Sequence, residues 1–171
     1  MKRFITGVLI LCTYALFAGC GNTLSPFNSG SADKLYFSSF ESKADTSGWQ
    51  SFAAFNIRNE TPPAGGEKSV YIAGGCLYPH ALLEIPGIGK SLEVELRLWG
   101  KTLVNGGNVV LTNTGTGKRI SVAVTDSSWT EYQSAGKLAV NKNDRLELSM
   151  SSVGIIPGGM LVDRVEIAVT K

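Results

Sequence analysis

Histidine is nearly missing from this sequence. It occurs once in 171 residues, at His80, which excludes any multi-histidine metal site. Charge is also scarce: 18% of the residues are Asp, Glu, Lys or Arg, below the usual quarter. Sixteen basic residues against fourteen acidic ones leave a formal charge of +2, too little for a nucleic-acid binder that works by neutralising phosphates. Cysteine occurs three times, at positions 12, 20 and 76. No window carries the 3.6-residue apolar period of an amphipathic helix. What is plentiful is glycine, at 20 residues, and apolar side chains, at 43%. That composition excludes a disordered chain, and the length fits one domain with a sizeable core.

The N-terminus has a pattern of its own. Lys2 and Arg3 precede an apolar run from Phe4 to Ala18, shorter than the roughly 20 residues a membrane span needs. A basic start, a short apolar run and small residues at its end describe a secretory signal. The run closes on Phe17-Ala18-Gly19-Cys20, which resembles the lipobox of bacterial lipoproteins, with Phe17 where leucine is usual. The resemblance implies cleavage after residue 19, a lipidated Cys20, and a membrane partner reached through the acyl chains. Gly21, where an aspartate would mark inner-membrane retention, favours the outer membrane of a bacterial envelope. Residues 1–19 carry two basic residues and no acid, so after cleavage 14 basic residues face 14 acidic ones. Cys12 leaves with the signal and Cys20 takes lipid, so Cys76 has no disulfide partner in the chain and reads as a buried inert thiol. Residues 20–33 supply the lipidated cysteine and a Gly, Ser and Asn-rich tether.

From Lys34 to Lys171 the apolar period is two, that of strands. Residues 69–73 and 81–85 read as short strands. Over 91–99, Leu92, Val94, Leu96 and Leu98 share one face, while Glu93, Glu95, Arg97 and Trp99 share the other. Residues 108–112 and 119–125 pair as a hairpin around a Gly-containing turn at 113–118. Residues 128–133, 144–151 and 160–169 complete about eight or nine antiparallel strands. With Gly-rich turns and no helix, the expectation is an all-β sandwich.

The order of landmarks is similar to the galactose-binding-like jelly rolls, in particular carbohydrate-binding modules of the cellulase-associated CenC type. The residues that carry it are Phe40-Glu41-Ser42, Gly48-Trp49, the Gly66-to-Ile72 stretch, Trp129-Thr130-Glu131-Tyr132 and Val162-Asp163-Arg164-Val165-Glu166-Ile167. The resemblance implies a structural calcium held by Glu41 and Asp163 with backbone oxygens near Gly66 to Lys68, a donor set that suits this oxygen-seeking ion. It also implies non-catalytic carbohydrate binding through an aromatic platform. Trp99 ends the polar strand face and is the expected platform, with Arg97, Glu95 and His80 as hydrogen-bonding partners and Tyr78 alongside. Trp49 and Trp129 fall at positions that pack the fold. The family's second platform aromatic has no evident counterpart.

Other chemistry is not supported. Residues 86–91 and 114–118 each lack the first glycine of a phosphate-binding loop, and the former leads into a strand rather than a helix. No serine sits in a Gly-x-Ser-x-Gly elbow. Glu93 and Glu95 share a face as a glycosidase pair would, but Arg97 beside them makes an ion-paired surface the better reading. The sequence therefore leads to a non-enzymatic lipoprotein whose sandwich binds polysaccharide. The competing expectation is an envelope lipoprotein that uses the same sandwich for contact with other envelope proteins.

Overall fold

A computed structural model describes residues 34–51, 55–75, 80–154 and 158–171. The signal, the lipobox with Cys20 and the tether lie outside the described residues, as do Cys76 and Tyr78. Twelve strands and no helix are found among the described residues. In order they are β1 (Lys34–Ser38), β2 (Trp49–Ser51), β3 (Phe55–Arg58), β4 (Ser69–Ala73), β5 (His80–Ile85), β6 (Leu92–Val104), β7 (Gly107–Asn113), β8 (Arg119–Val124), β9 (Thr130–Gln133), β10 (Leu138–Val140), β11 (Leu146–Ser152) and β12 (Gly159–Val169). The count exceeds the eight or nine read from the sequence because β2, β3 and β10 are three or four residues long. Such strands are too short to show a period.

The strands form two antiparallel sheets, and the architecture is a jelly-roll β-sandwich. One sheet has five strands in the order β2-β5-β11-β7-β8. The other has seven, with β6 and β12 paired at its centre. Each central strand has a divided outer edge. β12 pairs with β4 over residues 159–162 and with β1 over 165–168. β6 pairs with β10 over 92–94 and with β9 over 97–100.

Alternation supplies the core. Leu92, Val94, Leu96 and Leu98 of β6 are all buried, and they face Leu83, Leu111, Leu146 and Leu148 from the five-stranded sheet within one apolar cluster. Each fully buried Leu contributes roughly 1.5–3 kcal/mol by leaving water. Gly100 continues β6 past Trp99, because a side chain there would overlap Val124 of the opposite sheet. Trp99 thus lies inside a strand of 13 residues, not at its end as the sequence suggested.

β12 breaks its own alternation. Met160 and Val162 are core residues, and so are Val165 and Ile167. The inward parity therefore slips by one between Asp163 and Val165. The slip is a β-bulge: pairing with β6 shifts register between Asp163 and Glu166, and Arg164 takes φ 48. This left-handed conformation is uncommon for a residue with a side chain. The bulge coincides with the seam where β4 gives way to β1.

Candidate functional site

Two features meet at that seam. The first is a pair of carboxylates. Glu41 follows β1, and the loop over residues 59–68 leads into β4, so both approach Asp163 through the gap between the two strands. Glu41 Oε1 accepts hydrogen bonds from the backbone N–H of Glu67 and of Lys68, each at 2.9 Å. Asp163 is fully buried. Its Oδ1 accepts the Arg164 N–H at 2.6 Å, while Oδ2 has no hydrogen-bond partner. Burial pushes the Asp163 carboxyl up to about 6; the Arg164 N–H opposes that shift and the Glu41 charge adds to it. Two glycines make room. A Cβ on Gly65 would come within 2.6 Å of Asp163 Oδ2, and one on Gly66 would overlap Glu41 Oε1.

A buried carboxylate oxygen without a partner is costly, and Asp163 Oδ2, with the half-buried Glu41 charge acting on it, is a place for a cation. Among the described residues no group of three or more His, Cys, Asp and Glu side chains comes together, so further donors would be backbone carbonyls. Those of Glu41, Ala64 and Gly66 are at hand, and each accepts a hydrogen bond: from Lys68 Nζ at 2.8 Å, from Arg164 Nη1 at 2.7 Å and from Thr61 Oγ1 at 3.0 Å. Each carbonyl has a second lone pair. An all-oxygen set fits calcium and not zinc.

The second feature is a half-open depression of about 220 Å³ on the outer face of the seven-stranded sheet. Phe37, Arg97, Trp99, Glu131, Arg164 and Glu166 are among its lining residues. The register explains the assembly. Trp99 lies opposite Asp163 on β12 and Glu131 on β9. Arg97 lies opposite Glu166 and Gln133, and Glu166 lies opposite Phe37 on β1. Phe37 is therefore two strands from β6, about 10 Å at the usual spacing. A neighbouring hollow of about 340 Å³ over β9 shares Arg97 and Glu131.

Phe37 is a second aromatic at the depression, which the sequence did not show, and Lys34 Nζ lies over its ring, 4.8 Å from the centroid. Its neighbour Tyr36 is a core residue at 2% exposure, so alternation at Tyr36-Phe37 puts Phe37 outside. The same logic applied to residues 34–38 would have found it, had the run been long enough to fix its parity.

The expected ligand-binding residues divide. Arg97 and Trp99 line the depression. Glu95 does not: it is 5% exposed, ion-paired with Arg97 and accepting from Gln133 Nε2 at 2.9 Å. It holds Arg97 in place and is not free to meet a ligand. His80 opens β5 and pairs with Ser151 in the five-stranded sheet, so it is not brought to Trp99. Tyr78 lies outside the described residues. Trp49 is half-buried and packed on the core, its Nε1 donating to Tyr36 Oη at 3.2 Å. Trp129 is half-buried in the turn before β9 and stands outside the core cluster, against expectation.

The outer face of the five-stranded sheet is different in kind. Leu82, Val110, Ser121, Glu147 and Ser149 alternate outward on it. No Phe, Tyr or Trp side chain is found there among the described residues.

The fold is that of carbohydrate-binding modules. The CBM22-1 xylan-binding domain of Paenibacillus barcinonensis Xyn10C is similar with a TM-score of 0.58 at 20% identity, over 81% of this chain and 96% of that one. The C-terminal family 22 carbohydrate-binding module of Clostridium thermocellum Xyn10B is similar at 0.53 and 12%, over 80% and 94%. The enzymatically active domain of tailspike protein 4 from bacteriophage CBA120 matches at 0.53 and 13%, over 72% of this chain and 20% of that one, so the sandwich also occurs within enzymes. No protein-family model and no curated protein matches the chain. Identities this low show the fold and not the ligand.

Proposed function

We propose that this protein binds a polysaccharide without cleaving it, on the outer face of the seven-stranded sheet, and that it does so as a lipid-anchored protein of a bacterial envelope. The observation that carries the binding reading is the depression itself. It places the half-buried Trp99 ring beside the polar groups of Arg97, Arg164 and Glu131, with Phe37 beneath Lys34 and Arg164, in a fold shared with carbohydrate-binding modules. An aromatic face takes the apolar face of a sugar ring, and charged and amide neighbours read its hydroxyls. Of its two acidic lining residues, Glu131 on β9 and Glu166 on β12, Glu166 is ion-paired with Lys34 at 2.6 Å, which speaks against a free pair of catalytic carboxylates. The lipobox-like Phe17-Ala18-Gly19-Cys20 run supports the anchor.

Glu41 and Asp163 would hold a structural calcium. The unpartnered Asp163 Oδ2 and the glycine loop that admits both carboxylates support this part. The ion would supply positive charge to the buried Asp163 carboxylate and to Glu41, and tie the start of the domain to its last strand.

The test is affinity electrophoresis of the purified protein through a panel of polysaccharides, in calcium and in chelator. Retardation by a polymer that Trp99→Ala abolishes without lowering the melting temperature supports the reading. Absence of retardation by every polymer sinks it and favours protein contact within the envelope.

A further inference from the structure

The charges around the depression are not evenly matched. Lys34 is paired with Glu166 at 2.6 Å, and Arg97 is paired with the buried Glu95. Arg164 has no carboxylate within ion-pairing distance among the described residues. Asp163, its sequence neighbour, is buried with Oδ2 toward Gly65, and the Arg164 charge acts on it without a direct ion pair.

Arg164 is nevertheless held firmly. The bulge in β12 fixes its backbone at φ 48, a conformation that costs energy for a residue with a side chain and tends to persist where it is used. Nη1 donates to the Ala64 carbonyl at 2.7 Å. The guanidinium lies over the Phe37 ring, 5.6 Å from its centroid. These two contacts set the plane and tilt of the fork. They leave Nε and Nη2 uncommitted among the described residues, on a side chain that lines the depression beside Trp99. A pre-oriented guanidinium backed by an aromatic ring matches a planar carboxylate two-pronged, which a lysine cannot do.

We propose that the ligand is a uronic-acid-bearing polysaccharide and that Arg164 binds its carboxylate while a ring of the same polymer stacks on Trp99. This rests on the carbohydrate reading and adds the class of sugar. Arg164 stands on β12, next to the strand of Trp99, and its guanidinium reaches over Phe37 on β1, so the two groups are one to two strand spacings apart, about 5–10 Å, a span of one or two linked sugar rings. Glu131, on β9 beyond Trp99, fixes the polarity. The acid group lies at the β12 and β1 end, and Glu131 opposes an acidic ligand from the other.

The experiment pairs each of a set of polyuronates (polygalacturonate, alginate and glucuronoxylan) with its carboxyl-reduced neutral form in affinity electrophoresis. The proposal expects at least one acidic polymer to bind about tenfold or more tighter than its reduced form. Arg164→Gln and Arg164→Lys remove that preference, Glu131→Gln strengthens it, and Trp99→Ala abolishes binding to both forms. Arg164→Gly is included because glycine accepts the positive φ, so its loss of preference cannot come from backbone strain. Equal binding of acidic and reduced forms overturns the uronic-acid proposal and leaves the carbohydrate reading standing. Retardation that survives Trp99→Ala and is reproduced by dextran sulfate is bulk charge attraction and also overturns it. No retardation by any polymer overturns both readings.

Discussion

Asp163 and Trp99 are cross-strand partners at the centre of the seven-stranded sheet. One is a fully buried carboxylate at the seam between β4 and β1, the other an aromatic wall of the depression on the sheet's outer face. The bulge that follows Asp163 turns Arg164 into that depression. The proposed cation site and the proposed sugar site are thus built from consecutive residues of one strand.

Removing the Asp163 charge separates its two roles. In chelator the carboxylate is buried with one oxygen unpartnered, so Asp163→Asn is expected to match or exceed the wild-type melting temperature at neutral pH. In calcium the wild type is expected to gain several degrees and the variant none. A thermal scan of both proteins in both buffers checks this; a calcium gain that survives in the variant would remove Asp163 from the site.

The glycine loop gives a steric version of the same test. A methyl group on Gly66 overlaps Glu41 Oε1, so Gly66→Ala is expected to displace that carboxylate and its two N–H donors. The expected outcome is a calcium affinity at least tenfold lower by titration calorimetry, with the strand content seen by circular dichroism retained. Unchanged affinity would show that Glu41 is not a ligand.

Acid stability depends on a different carboxylate. Asp144 accepts hydrogen bonds from the Asn141 N–H at 2.9 Å, from Asn113 Nδ2 at 2.6 Å and from Asn141 Nδ2 at 3.0 Å. These bonds, led by the Asn141 N–H, lower its pKa from the ordinary 3.8. A group depressed in the folded state stabilises fully above its unfolded pKa, and loses that contribution as pH falls through the folded value. Melting temperatures followed from about pH 5 to about pH 2 should therefore fall less steeply for Asp144→Ala than for the wild type. Parallel curves would contradict the assignment.

The core carries the stability of the sandwich. Leu96 and Leu148 are fully buried from opposite sheets, and truncating either to Ala is expected to cost roughly 2–5 kcal/mol in denaturant unfolding. Trp99→Ala should cost far less, because that ring is half-buried on the outer face. If the Trp99 variant is destabilised as much as Leu96→Ala, the ring is packing the fold and not waiting for a ligand.

The long strands were legible because they hold their period. Leu92 to Leu98 declared both faces of β6, and with them the side on which Arg97 and Trp99 stand. Asp163 and Glu41 were named from the family resemblance, and no residue spacing would have joined positions 41 and 163. What escaped the sequence has a common cause, which is a break in period or a run too short to have one. Arg164 sits on a bulge, where alternation misassigns everything after it unless the slip from Val162 to Val165 is noticed. Phe37 belongs to a strand of five residues. Glu95 had the right face but the wrong depth, since burial under Arg97 and Gln133 depends on β9, which is 38 residues away at Gln133. His80 was grouped with Trp99 through nearness in sequence, and the jelly-roll topology sends β5 and β6 to opposite sheets.

The proposed ligand face is the outer face of the seven-stranded sheet. Binding of whichever polysaccharide retards the wild type should be compared between Trp99→Ala and Ser149→Trp, the latter placing bulk at the middle of the five-stranded sheet's outer face. Loss of binding in Trp99→Ala with wild-type binding in Ser149→Trp is the predicted result. Wild-type binding in Trp99→Ala with loss in Ser149→Trp would move the site to the other sheet and contradict the account.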